Sequence, residues 1–272
     1  MTNAPQIIDP PLIDCHAHIW GPDMPFVSTA WSRPDYVYST EDFLADLDAH
    51  GILFGVIAAA SLFGTYNDYV IRALRQHKRL RGTAIVDPDI ELYSLEKMRA
   101  DGIVGVRLQW FFMDPLPDMG DAAFQRLCAR LRDLDMHIHL NIEGARLNEV
   151  AARILDTGVR LVIDHYGWHD FGPRLAAQSY QDMLRLLDRG NAWVKLGCGY
   201  VRPDRDLPRA YAQDLLARFG PERLLWGSNS PFVGHEDSAS YAMTIEEFHD
   251  IVPDADVRRA IGENGYHFYF GD

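Results

Sequence analysis

Eight short apolar runs alternate with amphipathic segments along this chain, and this pattern limits the fold more than any other feature of the sequence. The runs are rich in Val, Ile and Leu with little alternation, which is typical of strands buried on both faces. The predicted strands cover residues 12–18, 52–61, 82–86, 103–109, 137–142, 161–165, 192–196 and 224–227.

The segments between the runs have helical spacing and helix boundary residues. Thr40 is placed to cap a helix that Gly51 ends, and Pro208 and Gly220 bracket another. Strands that alternate with helices predict parallel βαβ units. Because 272 residues run on without a linker, we predict one α/β domain, a (β/α)₈ TIM barrel. An open doubly wound sheet is the alternative, but no glycine-rich phosphate loop follows any run.

Two segments are predicted to lie outside the regular barrel. Residues 1–11 form an N-terminal extension, and residues 21–39 follow the first strand with several prolines and aromatic residues. On a barrel this position is the catalytic face. We therefore interpret residues 21–39 as an aromatic active-site loop, with a packed surface loop as an equal alternative.

Charge and cysteine content limit the partners. A formal net charge of −13 repels nucleic acid and anionic membranes, so we expect neither as a partner. An anionic substrate would need locally placed cations. The three cysteines form no CxxC pair, and no signal peptide precedes the first strand, so we expect a cytoplasmic protein.

Polar residues stand where the predicted strands end, which is the catalytic face of a barrel. His16 and His18 occupy alternate positions of the first strand and share one face. Lys195 is expected to form a structural ion pair with Asp14 or Asp164, and His137, His169 and His235 are expected to have ordinary structural roles. The remaining candidates from the later strands are Arg107, His139, Asn141, His165, Arg202 and Asn229.

Six ordered motifs resemble the amidohydrolase superfamily in its amidohydrolase-related (type 2) branch, near the pyrone dicarboxylate lactonases and sugar-lactone hydrolases. They span nearly the whole chain in the order of that family. The motifs are Asp-Cys-His-Ala-His at 14–18, Gly-Ile-Val-Gly-Val-Arg at 102–107, Met-His-Ile-His-Leu at 136–140, Val-Ile-Asp-His-Tyr-Gly at 162–167, Trp-Val-Lys-Leu-Gly at 193–197 and Trp-Gly-Ser-Asn-Ser-Pro at 226–231.

The resemblance implies a lactonase-like site. His16, His18 and His165 would orient and polarise a substrate carbonyl, while substrate carboxylates would be held by Arg107 and a residue near Arg202, with His139 and Asn141 as further binding candidates. Asn229 stands where the family usually has the aspartate that activates water, and Asn141 stands where relatives often have tyrosine. An amide is no general base. We therefore expect His165 or His139, near its ordinary pKa, to be the base.

The predicted function is a hydrolase acting on a small carboxylated lactone. The alternatives are a decarboxylase or isomerase on the same scaffold, and a catalytically silent ligand-binding barrel. We expect no tightly bound metal. Many relatives bind zinc or manganese, and the alternative here is zinc on His16, His18 and His139. The partner is a small anionic organic substrate, and the aromatic segment 266–270 packs beneath the barrel or against a second copy in a homo-oligomer.

Overall fold

The computed structural model describes residues 9–169, 174–202, 204 and 206–271. Eight strands form one sheet in chain order, each parallel to the next. This confirms the predicted (β/α)₈ barrel. The strands are β1 (Ile13–Ala17), β2 (Phe54–Ile57), β3 (Leu80–Ala84), β4 (Ile103–Gln109), β5 (His137–Asn141), β6 (Arg160–Ile163), β7 (Ala192–Leu196) and β8 (Leu224–Trp226).

Every predicted run overlaps one strand, and the largest difference is at β2. The prediction extended this strand to Ser61, whereas the strand ends at Ile57, with one further backbone bond from the Ala58 amide to the Ala17 carbonyl at 2.8 Å. Residues 58–60 leave the sheet, and a 3₁₀ turn follows at Ser61–Phe63. The apolar run continues there because the turn is itself packed: Leu62 and Phe63 are buried.

Helices cover the outside of the sheet, and most carry an apolar face toward it. The first helix begins one residue earlier than predicted, because Ser39 and not Thr40 is its cap. The Ser39 hydroxyl accepts from the Asp42 amide, and the Asp42 carboxylate accepts from the Ser39 amide. The α-helices of the described residues are α1 (Thr40–Ala49), α2 (Asp68–Gln76), α3 (Leu92–Ala100), α4 (Ala122–Asp133), α5 (Gly144–Asp156), α6 (Gln178–Leu187), α7 (Asp206–Phe219), α8 (Tyr241–Ile251) and α9 (Ala255–Phe270).

The barrel closes between its first and last strands by a seam made at Asp14, His16, His18 and the segment after β8. The Asn229 backbone amide donates to the His16 carbonyl at 2.7 Å, and the His18 backbone amide donates to the Ser230 carbonyl at 2.8 Å. The buried Asp14 carboxylate accepts from the amide of His16 at 2.9 Å and from that of Ser228 at 3.0 Å. The seam therefore fixes the backbone on which three of the candidate residues stand.

Inside the barrel, the lower core is completed by the C-terminal helix α9. Its Tyr269 is buried against Ile13, Cys15 and Leu225. At least this part of the aromatic segment 266–270 therefore lies beneath the barrel, as one of the two alternatives predicted. Within the described part of the chain, no helix is both long enough and apolar enough to cross a membrane.

Candidate active site

A cavity of about 450 Å³ opens at the carboxyl ends of the strands. His18, Arg107, Asn141, His165 and Asn229 all line it, so the fold brings together five of the eight predicted site residues at the expected face. The other three lie elsewhere. His16 and His139 are below the cavity floor, each at most 1% exposed, and Arg202 lies behind the wall.

The His18 ring has a defined hydrogen-bonding state. Its Nδ1 lies 2.7 Å from the Ala58 carbonyl oxygen, and a carbonyl only accepts, so Nδ1 carries the proton. In the neutral imidazole, Nε2 is then the atom with the free lone pair. His18 is half-buried and lines the cavity, so it presents a hydrogen-bond acceptor there.

Asp164 is the centre of a buried ion network beneath the cavity. Its carboxylate lies 3.3 Å from the Arg107 guanidinium and 3.5 Å from the Lys195 ammonium. Although burial alone would raise the pKa of Asp164, Lys195, His16 and Arg107 hold it well below its usual range. The prediction of an ion pair between Lys195 and an internal carboxylate is confirmed, and of the two candidates Asp164 is the partner.

Lys195 also contacts two neighbouring rings and fixes the proton on one of them. Its Nζ lies 3.0 Å from His16 Nδ1 and 3.3 Å from His139 Nδ1. An ammonium only donates, so His139 Nδ1 accepts and the proton of this neutral ring is on Nε2. His16 Nδ1 lies between the Lys195 ammonium and the Asp164 carboxylate, which is 3.4 Å away. His139 Nε2 then donates to the Tyr269 hydroxyl at 2.8 Å. His139 is thus occupied below the floor, away from the place where a base would meet substrate.

Asn229 is held by the segment after β7. Its Nδ2 donates to the Tyr200 hydroxyl at 2.7 Å and to Cys198 Sγ at 3.0 Å. Both amide protons are therefore used by the protein, which leaves Oδ1 as an acceptor. Asn229 and Cys198 both have positive φ angles, 62° and 66°, a conformation that asparagine tolerates better than most residues. This backbone turns the amide into the cavity wall.

Two further candidates are tied into the wall through Trp168. The Asn141 amide donates to Gln109 Oε1 at 2.7 Å and accepts from Trp168 Nε1 at 2.5 Å. The Arg202 guanidinium lies 4.8 Å from the centre of the Trp168 ring and donates to the His165 carbonyl. Arg202 therefore supports the wall from behind, and its predicted contact with a substrate carboxylate stays a prediction.

Burial and nearby cations keep the cavity imidazoles neutral. For His18, burial and then Arg107 lower the pKa to about 3, and burial also lowers the pKa of His165 to about 3. The expectation of a base near its ordinary pKa is therefore wrong for this structure, because strand ends that look accessible in the sequence lie in an enclosed site. Both rings therefore stay neutral across neutral pH.

One cluster of the described residues has spacing suited to a metal ion, but its charge surroundings are unfavourable for a divalent cation. His16, Asp164 and His165 have candidate ligand atoms within 4.8 Å of one another, a different set from the predicted trio with His18 and His139. The carboxylate of this set already faces two cations, Arg107 and Lys195. A metal ion there would meet two neutral imidazoles and a carboxylate that two cations already share, which weakens the donor set.

Several cavity residues were not predicted as site residues. His235 was expected to be ordinary, yet it lines the cavity beside Tyr200, with ring centres 5.5 Å apart. Trp168, Trp20 and Trp31 also line it. Trp31 lies in the predicted aromatic loop, and Trp20 lies just before it. The role of this loop at the active site remains a prediction. The signal for His235 was its position after the eighth strand.

Known proteins of similar sequence include two enzymes that are named for lactones. The chain is 26% identical over 239 residues to 4-sulfomuconolactone hydrolase of Hydrogenophaga intermedia, covering 85% of this chain and 78% of that one. It is 29% identical to D-galactarolactone isomerase of Agrobacterium fabrum over 188 residues, which are 66% of this chain and 63% of that one.

A solved structure is also similar. The crystal structure of a probable 2-pyrone-4,6-dicarboxylic acid hydrolase from Acinetobacter baumannii, with citric acid bound, matches 97% of this chain and 100% of that one with a TM-score of 0.91 at 27% identity. The sequence model of the amidohydrolase family (Amidohydro_2) matches residues 13–270. The chain therefore belongs to the amidohydrolase family.

Proposed function

We propose that this protein hydrolyses a small lactone that carries a carboxylate. The observation that carries the proposal is the charge at the cavity floor. Asp164 supplies one negative charge against the two positive charges of Arg107 and Lys195, while the neighbouring imidazoles are neutral. Among these three groups one positive charge is left over, in a protein whose net charge is −13. The other buried carboxylate, Asp14, is bound at the seam by the Ser228 and Tyr241 hydroxyls. A single substrate carboxylate would compensate it, and Arg107 reaches the cavity to bind it.

His18 is the proposed general base. Its Nδ1 proton is held by the Ala58 carbonyl, so Nε2 is free to accept a proton from water. Part of the lowering of its pKa comes from Arg107. A substrate carboxylate at Arg107 offsets that charge and raises the proton affinity of His18. The base is therefore strengthened when an anionic substrate binds, which ties rate to the presence of the carboxylate.

Asn229 positions the attacking water in this mechanism. Its Nδ2 protons are committed to Tyr200 and Cys198, so Oδ1 accepts a hydrogen bond from the attacking water. The water oxygen attacks the lactone carbonyl carbon while its proton moves to His18 Nε2. The ring C–O bond then breaks, and the leaving oxygen takes the proton from His18 Nε2, which gives a hydroxy acid and restores the neutral ring. His165, the second imidazole in the wall, is proposed to orient the carbonyl.

We propose that no metal takes part in this reaction. The support is the donor set described above, in which the carboxylate nearest to the imidazoles is already paired with Arg107 and Lys195. The alternative of zinc on His16, His18 and His139 has less support. His139 Nδ1 faces Lys195 and its Nε2 faces Tyr269, so neither nitrogen of that ring is open to an ion.

The test is turnover of a panel of carboxylated lactones in heavy-oxygen water, followed by mass spectrometry. We expect a hydroxy acid with one labelled oxygen, and His18→Gln should lose at least about 100-fold in kcat if that ring is the base. A product of unchanged mass would instead show isomerisation, and loss of carbon dioxide would show decarboxylation. Binding of every lactone without any product would indicate a silent ligand-binding barrel. Each of these three results contradicts the proposal.

Isomerisation is the second candidate, because it needs no activated water and an amide at position 229 is then no handicap. The likeness to D-galactarolactone isomerase over 66% of this chain favours it over decarboxylation. The same imidazoles would move a proton between two positions of the substrate. The labelled-water experiment separates the two candidates directly, since only hydrolysis incorporates a solvent oxygen.

A further inference from the structure

A second cavity, which we call the annex, adjoins the first. It has a volume of about 570 Å³ and lies at the same face of the barrel, over β3 and β4. Residues 85–88, which follow β3, line the annex but not the first cavity. Every other strand contributes, through its carboxyl end or the loop after it, to the first cavity. The annex therefore extends the site on the one side that the first cavity leaves out.

The two cavities share part of their walls. Ser61, Trp31, Arg107, Gln109 and Phe112 line both. Trp31 is 52% exposed and Phe112 is 72% exposed, although aromatic side chains of this size are usually covered. Two exposed aromatic rings at the junction of two cavities are well placed to pack against a ligand that passes from one cavity into the other.

The lining of the annex indicates what it would hold. Apart from the shared Arg107, no lysine or arginine lines it among the described residues, and Asp87 and Asp114 stand exposed at its edge. A second carboxylate would be repelled there. Most of the remaining surface is apolar and includes Val86, Leu108 and Trp110. We therefore expect the carboxylate of a ligand to bind at the junction with Arg107, and an uncharged apolar group of the ligand to lie beyond it in the annex.

We propose that the annex is a substrate subsite that binds an uncharged aryl or alkyl substituent, so that the substrate is a carboxylated lactone with an extended apolar group. The inference rests on the proposed function for the identity of the reacting ring. The apolar character of the substituent is inferred from the lining of the annex. The carboxylate lies at Arg107, the lactone lies in the first cavity, and the apolar group passes Trp31 and Phe112 into the annex.

The test uses two stable acids that need no turnover, benzoate and biphenyl-4-carboxylate, with affinities measured by calorimetry. Burial of one further phenyl ring should make the biphenyl acid bind at least about 10-fold more tightly to the wild-type protein. Val86→Trp fills the annex without touching the first cavity and should reduce this ratio to about twofold or less. Leu53→Trp makes the same change at a position that is 56% exposed, just before β2 at the opposite end of the barrel, and should leave the ratio unchanged.

Equal affinity for the two acids in the wild-type protein would overturn the inference, and so would an unchanged ratio in Val86→Trp. If Val86→Trp fails to fold, Phe112→Ala replaces it, because this exposed side chain contributes little to the core. It should still lower the ratio several-fold, and an unaffected ratio counts against the annex. Hydrolysis of an unsubstituted lactone without any preference for the biphenyl acid refutes the annex alone. The preference without lactone hydrolysis refutes the proposed function alone.

Discussion

Arg107→Lys separates the binding of a substrate carboxylate from the general need for positive charge in the barrel. The guanidinium contacts Asp164 through Nε and Nη2, both at 3.3 Å, and donates from Nη1 to the Ala59 carbonyl at 2.9 Å. A lysine at this position keeps the charge. It has one compact ammonium group, so it cannot hold Asp164, Ala59 and a substrate carboxylate in the same fork.

The expected cost follows from these contacts. Loss of a charge-assisted hydrogen-bond pair to the substrate should cost about 2 to 3 kcal/mol, which is about 30- to 150-fold in kcat/KM. The free energy of unfolding should fall by only about 1 to 2 kcal/mol, because Lys195 still faces the Asp164 carboxylate at 3.5 Å. The loss of activity should therefore exceed what the loss of stability explains.

The assay compares a carboxylated lactone with its methyl ester, using steady-state kinetics and urea denaturation. The wild-type enzyme should prefer the acid, whereas Arg107→Lys should lose most of this preference and turn over the ester at nearly the wild-type rate. Arg160→Lys, at a half-buried guanidinium that bonds Asp135 just before β5, is the matched control and should keep the preference. An equal loss on acid and ester would refute the assignment, since it would show that Arg107 acts through the structure of the site.

Three further predictions concern acid stability, metal and the seam. Because burial lowers the folded-state pKa of His165 to about 3, the unfolded chain binds the extra proton below its ordinary value. Stability is therefore lost as the pH falls from about 6.5, and His165→Gln should remove about 2 to 3 kcal/mol of that loss at about pH 4.5 by denaturant titration; parallel curves would contradict this. Dialysis against a chelator should leave kcat/KM within about twofold, and restoration of a lost rate by zinc, with one zinc per chain by elemental analysis, would contradict it. Tyr241→Phe removes a buried 2.7 Å hydrogen bond to Asp14 and should lower the free energy of unfolding by about 1 to 3 kcal/mol in urea; a change below about 0.5 kcal/mol would show that Asp14 does not need it.

The barrel can be predicted from the sequence because each strand is recognisable from a short run of neighbouring residues. Eight buried runs separated by helical spacing leave few other arrangements. The face of each polar residue also follows from the strand period, which is why His18, Arg107 and His165 were correctly expected at one end of the barrel. These inferences need only neighbours along the chain.

The depth of each residue in the site is not a local property. His16 and His18 share a face, yet one lies beneath the floor and the other in the cavity wall. The deeper ring contacts Lys195, which is 179 positions from His16 in the chain. In the same way, Arg202 lies behind the cavity wall, where its guanidinium donates to the carbonyl of His165, 37 positions earlier in the chain. Burial set by distant segments also explains why the pKa of His165 departs from its ordinary value.

The closure of the barrel at Asp14 has a consequence for the order of assembly. The Asp14 carboxylate receives the Ser228 amide from 214 positions along the chain, and the backbone of His16 and His18 is fixed by the same segment. Loops of this length are entropically expensive to close and form late in folding. The residues of the first strand thus depend on the segment after the eighth strand for their final position. During synthesis on the ribosome, the chain would therefore already contain most of its histidines before His16 and His18 could reach their final positions.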